Sequence, residues 1–545
     1  MTLLSRQGLP RVLAALFSGV VLSFVSPPNG FAWLHWVAFV PLFCTLVPDQ
    51  PRLNFKLGYI TGVSGVFCLF FWLAQTIDLF SNIPLAAASL VVLLFALVWG
   101  LPYGLLAMAI HPLRQRYGHR WILLFPTVWI AVEYLWPSLF PYYQGVGQYR
   151  TPWIWQLASV FGAYGISYLI IAVNATLASF VPSNFSGFAP LERRPLVPAA
   201  VVGLLMAATL GFGAWRFQMV EDVLATAPRL KASILQQKIT MVERMAERRG
   251  TTAFRSWVDI TRPILGQPVD LVVWPEGSMP YNPTEERVAA VLKKLTVEGN
   301  FNFLVGGGTM EEDPTGQNDY IAHNSCYLFN RQGEVTGRYD KMVPLPFGEY
   351  LPWPISYLRG YIRGPGNFRA GTEPHVFTAD RMTADGPAPF RFTTPICYEA
   401  ILERAMRKLM DTDIFVNITN DGWFGDTAAP HQHAMLSVAY ATSLGRPMLR
   451  VAYTGISMVV EPHGVIREET KPYTDVSRIV EIPLASFETP YRTWGAAFPL
   501  LAALTGLGSL AYALWPRRMV VSALLGAVGF IALVVDIVTW FVAAS

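Results

Sequence analysis

Long uninterrupted apolar runs limit what this chain can become more than any other feature. They occur at 12–25, 31–47, 57–74, 83–110, 121–136, 155–181 and 197–217, and again at 494–515 and 520–542. A helix that crosses a bilayer needs about 20 apolar residues. With 53% hydrophobic residues, 14% charged residues and a mean hydropathy of +0.36, the chain has the composition of a polytopic membrane protein carrying a water-exposed part. The expectation is seven spans over 1–217, a second apolar region over 491–545 and a water-exposed domain over 218–490. The first run follows Arg6 and Arg11, as in a signal peptide. Ser26-Pro27-Pro28 then stands where a small-residue cleavage site would be, and another run follows, so a retained anchor is expected.

The loops set an orientation. If the seven runs all span, Arg6 and Arg11, Arg52 and Lys56, Arg114, Arg116 and Arg120, and Arg193 and Arg194 share one side. The opposite loops, 27–30, 76–82 and 137–153, carry Arg150 as their only Lys or Arg. Basic loops stay on the cytoplasmic side, so residues after 217 are expected on the outer face. The net charge is only +4 and the basic residues are scattered, which argues against a nucleic-acid partner. Four cysteines without paired spacing make neither a disulfide framework nor a zinc site.

Between 218 and 490 the apolar runs shorten to strand length and alternate with helical patterns. Candidate strands lie at 230–235, 271–274, 301–305, 324–329, 391–396, 414–417, 450–452, 457–460 and 479–482. Candidate helices lie at 251–262, 284–298, 401–410 and 432–444. Such a mixture predicts an α/β or α+β domain.

Three stretches of that domain carry reactive side chains. Leu271-Val272-Val273-Trp274-Pro275-Glu276 is a buried-type strand ending on a carboxylate. Tyr339-Asp340-Lys341 opens a Pro/Gly-rich loop that runs to Glu349-Tyr350. Thr394-Pro395-Ile396-Cys397 is a strand end with a helix expected directly behind it, whose positive end would favour a thiolate. Each has a plain alternative: Glu276 as a helix cap, Lys341 as a solvated loop residue, Glu349 in a surface ion pair, Cys397 as a small buried hydrophobe. Together they supply a base, a fixed positive charge and a nucleophile, the set that acyl transfer through a covalent intermediate requires. His431-x-His433 has a metal-binding spacing, but no cysteine or acidic cluster accompanies it, so no metal and no cofactor are expected. Cys326, in a candidate core strand, reads as packing.

In this order the three residues resemble the Glu-Lys-Cys set of the nitrilase superfamily, which sits at strand ends of an αββα sandwich. The whole chain is similar to the apolipoprotein N-acyltransferase family. The similarity rests on Tyr142-Tyr143-Gln144-Gly145-Val146-Gly147-Gln148-Tyr149, Phe161-Gly162-Ala163-Tyr164-Gly165-Ile166-Ser167, Asn174, residues 343–352, Asn420-Asp421-Gly422-Trp423-Phe424-Gly425-Asp426, Pro430-His431-Gln432-His433, Leu444-Gly445-Arg446-Pro447 and Arg450. It implies a polytopic α-helical membrane domain plus an extracytoplasmic nitrilase-like α/β sandwich, in a bacterial inner membrane with the catalytic domain on the periplasmic face.

The resemblance also implies a reaction. Cys397 attacks the sn-1 ester of a phospholipid, typically phosphatidylethanolamine, and the acyl chain passes to the α-amine of a diacylglyceryl-cysteine at the N-terminus of an apolipoprotein. Glu276 would be the base, Lys341 the oxyanion stabiliser and Glu349 the residue orienting lysine and cysteine. Tyr398, whose amide is a further oxyanion donor, and Glu399 would wall the nucleophile. Tyr350, Trp353 and Trp423 are lid or substrate-contact candidates, as is Met245, which stands where the family often has a lipid-touching tryptophan.

The chain departs from the family pattern at Gly277-Ser278-Met279, at Tyr453 before Thr454-Gly455, and in its extra C-terminal run. Two alternative functions use the same residues differently: a membrane-tethered amidase that gives the acyl group to water, and a non-catalytic scaffold for a partner enzyme.

Overall fold

The computed structural model describes residues 8–81, 83–182, 194–240, 243, 251–279, 282–312, 320–353, 357 and 367–514. Met245, the run 520–542, and residues 354–356 and 358 of the lid stretch lie outside them. The chain divides into two compact units, one built from residues up to Phe217 with the helix Ala497–Leu514, the other from Gln218–Arg492.

The first unit is helical. Among the described residues, four helical runs suit a membrane span by length and composition: Leu85–Leu135, Ala158–Phe180, Leu196–Thr226 and Ala497–Leu514. The pair Pro51–Leu69 and Trp72–Phe80, bent by 46°, makes a fifth. Their outward faces carry Leu94, Leu204 and Leu501 at 64%, 70% and 63% exposure. Apolar side chains so exposed along several helices are solvated by lipid, and this is a membrane protein.

The run 31–47 is not one helix. It forms a 3-10 turn, Ala32–Trp36, and a short helix, Val40–Thr45. Pro41 lies in the first turn of that short helix, where its missing N–H costs nothing, so it suits the start of a new helix better than the continuation of the preceding turn. Asn174 makes good part of the interruption, accepting from Phe39 N–H at 2.8 Å and donating to His35 C=O at 2.9 Å. The run 83–110 behaves in the opposite way. Helix Leu85–Trp99 passes through Gly100, itself in helical conformation, into Leu101–Tyr117, and the chain turns only at Gly118, φ +55°.

The second unit holds two six-stranded sheets. Its strands are β1 (Arg229–Gln236), β2 (Leu271–Met279), β3 (Asn302–Glu312), β4 (Tyr320–Phe329), β5 (Val335–Asp340), β6 (Phe377–Thr383), β7 (Gly386–Thr393), β8 (Ile414–Thr419), β9 (Met448–Ala452), β10 (Met458–Val460), β11 (Ile466–Arg467) and β12 (Val476–Pro483). The orders are β12-β1-β2-β3-β4-β5 and β11-β10-β9-β8-β7-β6. The central pairs β1–β2, β2–β3, β7–β8 and β8–β9 are parallel, and the outer ones antiparallel.

Strands β1 and β2 touch β8 and β9 across the sandwich. Such central parallel strands are buried on both faces, which is why 271–274 and 414–416 read as unbroken apolar runs. Helices Thr251–Thr261 and Glu286–Gly299 seal the first sheet through Trp257, Val288 and Leu292, packed with Trp274 and Phe303. Helix Ala429–Leu444 is buried along its length except at His431, and it packs on the turn that carries Cys397. The result is the nitrilase-like αββα sandwich.

Candidate active site

Glu276 sits where β2 loses its regular pairing. The register with β3 breaks between Trp274 and Met279, because Pro275 has no N–H for the ladder and Gly277 takes φ +62°. Across this bulge β3 presents Gly306. A Cβ there would stand 2.3 Å from Pro275 O and 2.9 Å from the Glu276 Cα, so only glycine admits the close approach.

Lys341 follows β5 directly, its N–H bonded to Asn324 C=O at 2.8 Å and its own C=O accepting from Gly371 N–H at 2.7 Å. Its ammonium, 1% exposed, lies 2.7 Å from Glu349 Oε2 and 3.3 Å from Glu276 Oε1. Burial alone would lower the lysine pKa, but the two carboxylates outweigh it and hold the group well above its ordinary value. Glu349 Oε2 also accepts from Leu345 N–H at 2.6 Å, and Glu276 Oε2 accepts from Asn420 N–H at 2.7 Å. The structure thus brings Glu276, Lys341 and Glu349 into one buried cluster.

Cys397 adopts φ +51°, uncommon for a residue with a Cβ, at the start of a single 3-10 turn, Cys397–Ile401. The α-helix behind it begins only at Glu403 and ends at Lys408, so the long helix expected from residue 400 is absent, and with it a full macrodipole. The thiol pKa is accordingly raised, chiefly by burial and then by the Glu276 charge, against the opposing pull of Lys341. A thiol so raised favours its protonated form, and ionising it would require a base. Glu276 and Lys341 both act electrostatically on it, and the Thr419 side chain hydrogen-bonds it.

Glu399 is buried in the same turn as Cys397. Its Oε1 accepts from Tyr339 O–H at 2.8 Å, Met342 N–H at 2.7 Å and Val343 N–H at 3.1 Å, while Oε2 accepts from Ile396 N–H at 2.8 Å. It therefore ties the lysine loop to the cysteine strand, and burial pushes its carboxyl up to about 7. Tyr398 is buried next to Cys397. Trp353 and Trp423 are 51% and 45% exposed, and Tyr350 is partly buried, its C=O accepting from Phe347 N–H at 2.8 Å.

Several residues around the cluster were given no role by sequence reasoning. The Asn324 side chain contacts both glutamates. Behind Cys397, His433 Nε2 lies 3.3 Å from the Cys397 carbonyl and His433 Nδ1 lies 2.7 Å from Asp421 Oδ1. Arg450 donates to Asp421 Oδ2 at 2.9 Å and to Asn417 Oδ1 at 2.7 Å. Burial would raise Asp421, but Arg450 and His433 outweigh it and hold its carboxyl below the usual range. Gly455 leaves room for this group, since a Cβ there would stand 2.0 Å from Asp421 Oδ2. Asp421, His433 and Arg450 lie in the stretches that carry the family resemblance. Asn324 had only its position inside an apolar strand to mark it.

The chain is similar to known proteins over most of its length. Residues 18–176 match the apolipoprotein N-acyltransferase N-terminal domain, and residues 227–489 match the carbon-nitrogen hydrolase domain. The apolipoprotein N-acyltransferase of Geobacter metallireducens is 30% identical over 502 residues, covering 89% of this chain and 92% of its own. That of Methylococcus capsulatus is 29% identical over 522 residues, covering 91% and 95%. An amidase from Nesterenkonia sp. matches 49% of this chain and 94% of its own at 15% identity, with a TM-score of 0.35. Similarity to curated relatives over nearly the whole length, through both the helical unit and the sandwich, makes this chain a member of the apolipoprotein N-acyltransferase family.

Proposed function

We propose that the protein moves the sn-1 acyl chain of a phospholipid, phosphatidylethanolamine in the first instance, to the α-amine of the diacylglyceryl-cysteine of an apolipoprotein, the last step of lipoprotein maturation. The observation that carries this reading is the buried ammonium of Lys341 held between Glu276 and Glu349, on the strand ends that also bear Cys397. In the first half-reaction Glu276 takes the thiol proton and the thiolate adds to the ester carbonyl. Lys341 and the Tyr398 amide stabilise the oxyanion. Collapse expels the glycerol oxygen, which takes the proton from Glu276, leaving a thioester and a lysophospholipid. In the second, the acceptor amine adds to the thioester, gives up a proton to Glu276, and displaces the thiolate, which recovers that proton.

Glu349 orients the lysine, Glu399 positions the two loops, and Tyr350, Trp353 and Trp423 are the candidates for contact with lipid. The basic loops put residues 218–490 on the periplasmic face of the inner membrane, where both lipid-anchored substrates are presented.

Incubation with labelled phosphatidylethanolamine followed by intact mass spectrometry tests the first half-reaction. An adduct of one acyl chain, removed by hydroxylamine and absent from Cys397→Ala, is expected. Free fatty acid released without transfer to a lipopeptide would instead identify a hydrolase.

A further inference from the structure

The cluster has a member that touches all three of its charged residues. Asn324, on β4, places Nδ2 2.6 Å from Glu276 Oε1 and 2.6 Å from Glu349 Oε1, and its backbone carbonyl accepts from Lys341 N–H at 2.8 Å. The amide orientation is forced: a carbonyl oxygen between two carboxylates would find no donor, whereas an NH2 group has one hydrogen for each. The two carboxylates are thus joined by a neutral donor on one side and by the Lys341 ammonium on the other.

The oxygens of Glu276 are consequently unequal. Oε1 faces both Asn324 and Lys341, while Oε2 accepts the single bond from Asn420 N–H. A carboxylate oxygen has two lone-pair sites, so the uncommitted one on Glu276 belongs to Oε2. We propose that Asn324 is a positioning residue for the transfer reaction: it locks the Glu276 carboxylate so that Oε2 receives the thiol proton, and it fixes the spacing of the two glutamates around Lys341. This rests on the reading of Cys397 as nucleophile and Glu276 as base. Asn324 acts through Glu276 and does not itself touch substrate.

The test is single-turnover acylation of the full-length protein by phosphatidylethanolamine, followed by intact mass from pH 5 to 9, on the parent, Cys397→Ala, Asn324→Ala and Asn324→Asp. Loss of one preorganised donor is expected to slow acylation about 100-fold in Asn324→Ala, with little change in phospholipid KM. Removing a donor from the anionic base makes it easier to protonate, so the acid limb of the profile moves to higher pH. Asn324→Asp keeps the shape but sets a third carboxylate in place of the donor, so its acid limb moves further. A folded Asn324 variant that acylates within threefold of the parent, or one that slows with its acid limb unmoved, overturns the proposal. A parent that forms no adduct refutes the nucleophile assignment instead.

Discussion

Replacing Lys341 by methionine removes the ammonium that faces a buried pair of carboxylates, at nearly constant side-chain volume. Nζ lies 2.7 Å and 3.3 Å from its two partners, and at an effective dielectric of about 20 each contact is worth roughly 5–6 kcal/mol in Coulomb energy. Most of that offsets the desolvation of three charges. Removing one partner of such a group costs about 3–5 kcal/mol, because the charges left behind stay buried. At about 2–4 °C per kcal/mol, the apparent unfolding midpoint in detergent falls on the order of 10 °C at pH 8.

The pH dependence carries a sign. The parent lysine is charged in folded and unfolded chains alike below pH 9, so it contributes no slope between pH 5 and 8. In Lys341→Met the facing carboxylates bind protons more readily when folded than when unfolded. That variant therefore gains stability on acidification and loses it as pH rises. Glu399, pushed up to about 7 by burial against the opposing pull of Lys341, rises further when that charge is removed and adds to the same trend. Differential scanning fluorimetry of both proteins at pH 5.5 and 8 should show the gap narrowing at the lower pH. A midpoint within about 2 °C of the parent at pH 8, or a gap that widens on acidification, refutes the coupling.

Two further outcomes follow from the cysteine corner. His433→Ala deletes the donor to the Cys397 carbonyl, a bond worth about 1.4 kcal/mol, so acyl-enzyme formation should slow about tenfold in a stopped-time mass assay; less than a twofold change would discard that role. Because burial and Glu276 hold the Cys397 thiol protonated, its alkylation by a small neutral reagent should be slow at pH 7 and rise roughly tenfold per pH unit through pH 9. A plateau below pH 8, followed by peptide mapping, would contradict this.

Residues whose chemistry is advertised by their immediate neighbours were legible in the sequence. Glu276 ends an apolar strand, Lys341 opens a Pro/Gly loop, and Cys397 ends the next strand, so each has a local pattern and the resemblance joins them. The long apolar runs likewise announced the membrane unit. What was missed depends on residues distant along the chain. Asn324 looks like any polar residue in β4 until the fold sets Glu276 and Glu349 beside its amide, and Glu399 gains its donors only when the fold brings the lysine loop to it. Strands β5 and β6 went unread because their outward faces are polar and broken by glycine or arginine. The break before Pro41 is hidden by apolar neighbours that satisfy a hydropathy window whether or not one helix runs through them. The corner at Cys397 reads as a helix start, whereas Leu402 returns to an extended conformation after one turn.

The central claim is that an acyl chain passes from lipid to amine through Cys397, and one measurement addresses it directly. The protein is given a phosphatidylethanolamine bearing different, mass-distinct chains at sn-1 and sn-2, together with a diacylglyceryl lipopeptide, and the lipopeptide is weighed. Its mass should rise by the sn-1 chain alone, as an amide stable to hydroxylamine, and remain unchanged with Cys397→Ala. Equal gains from both positions, or transfer that persists in the alanine variant, would contradict it.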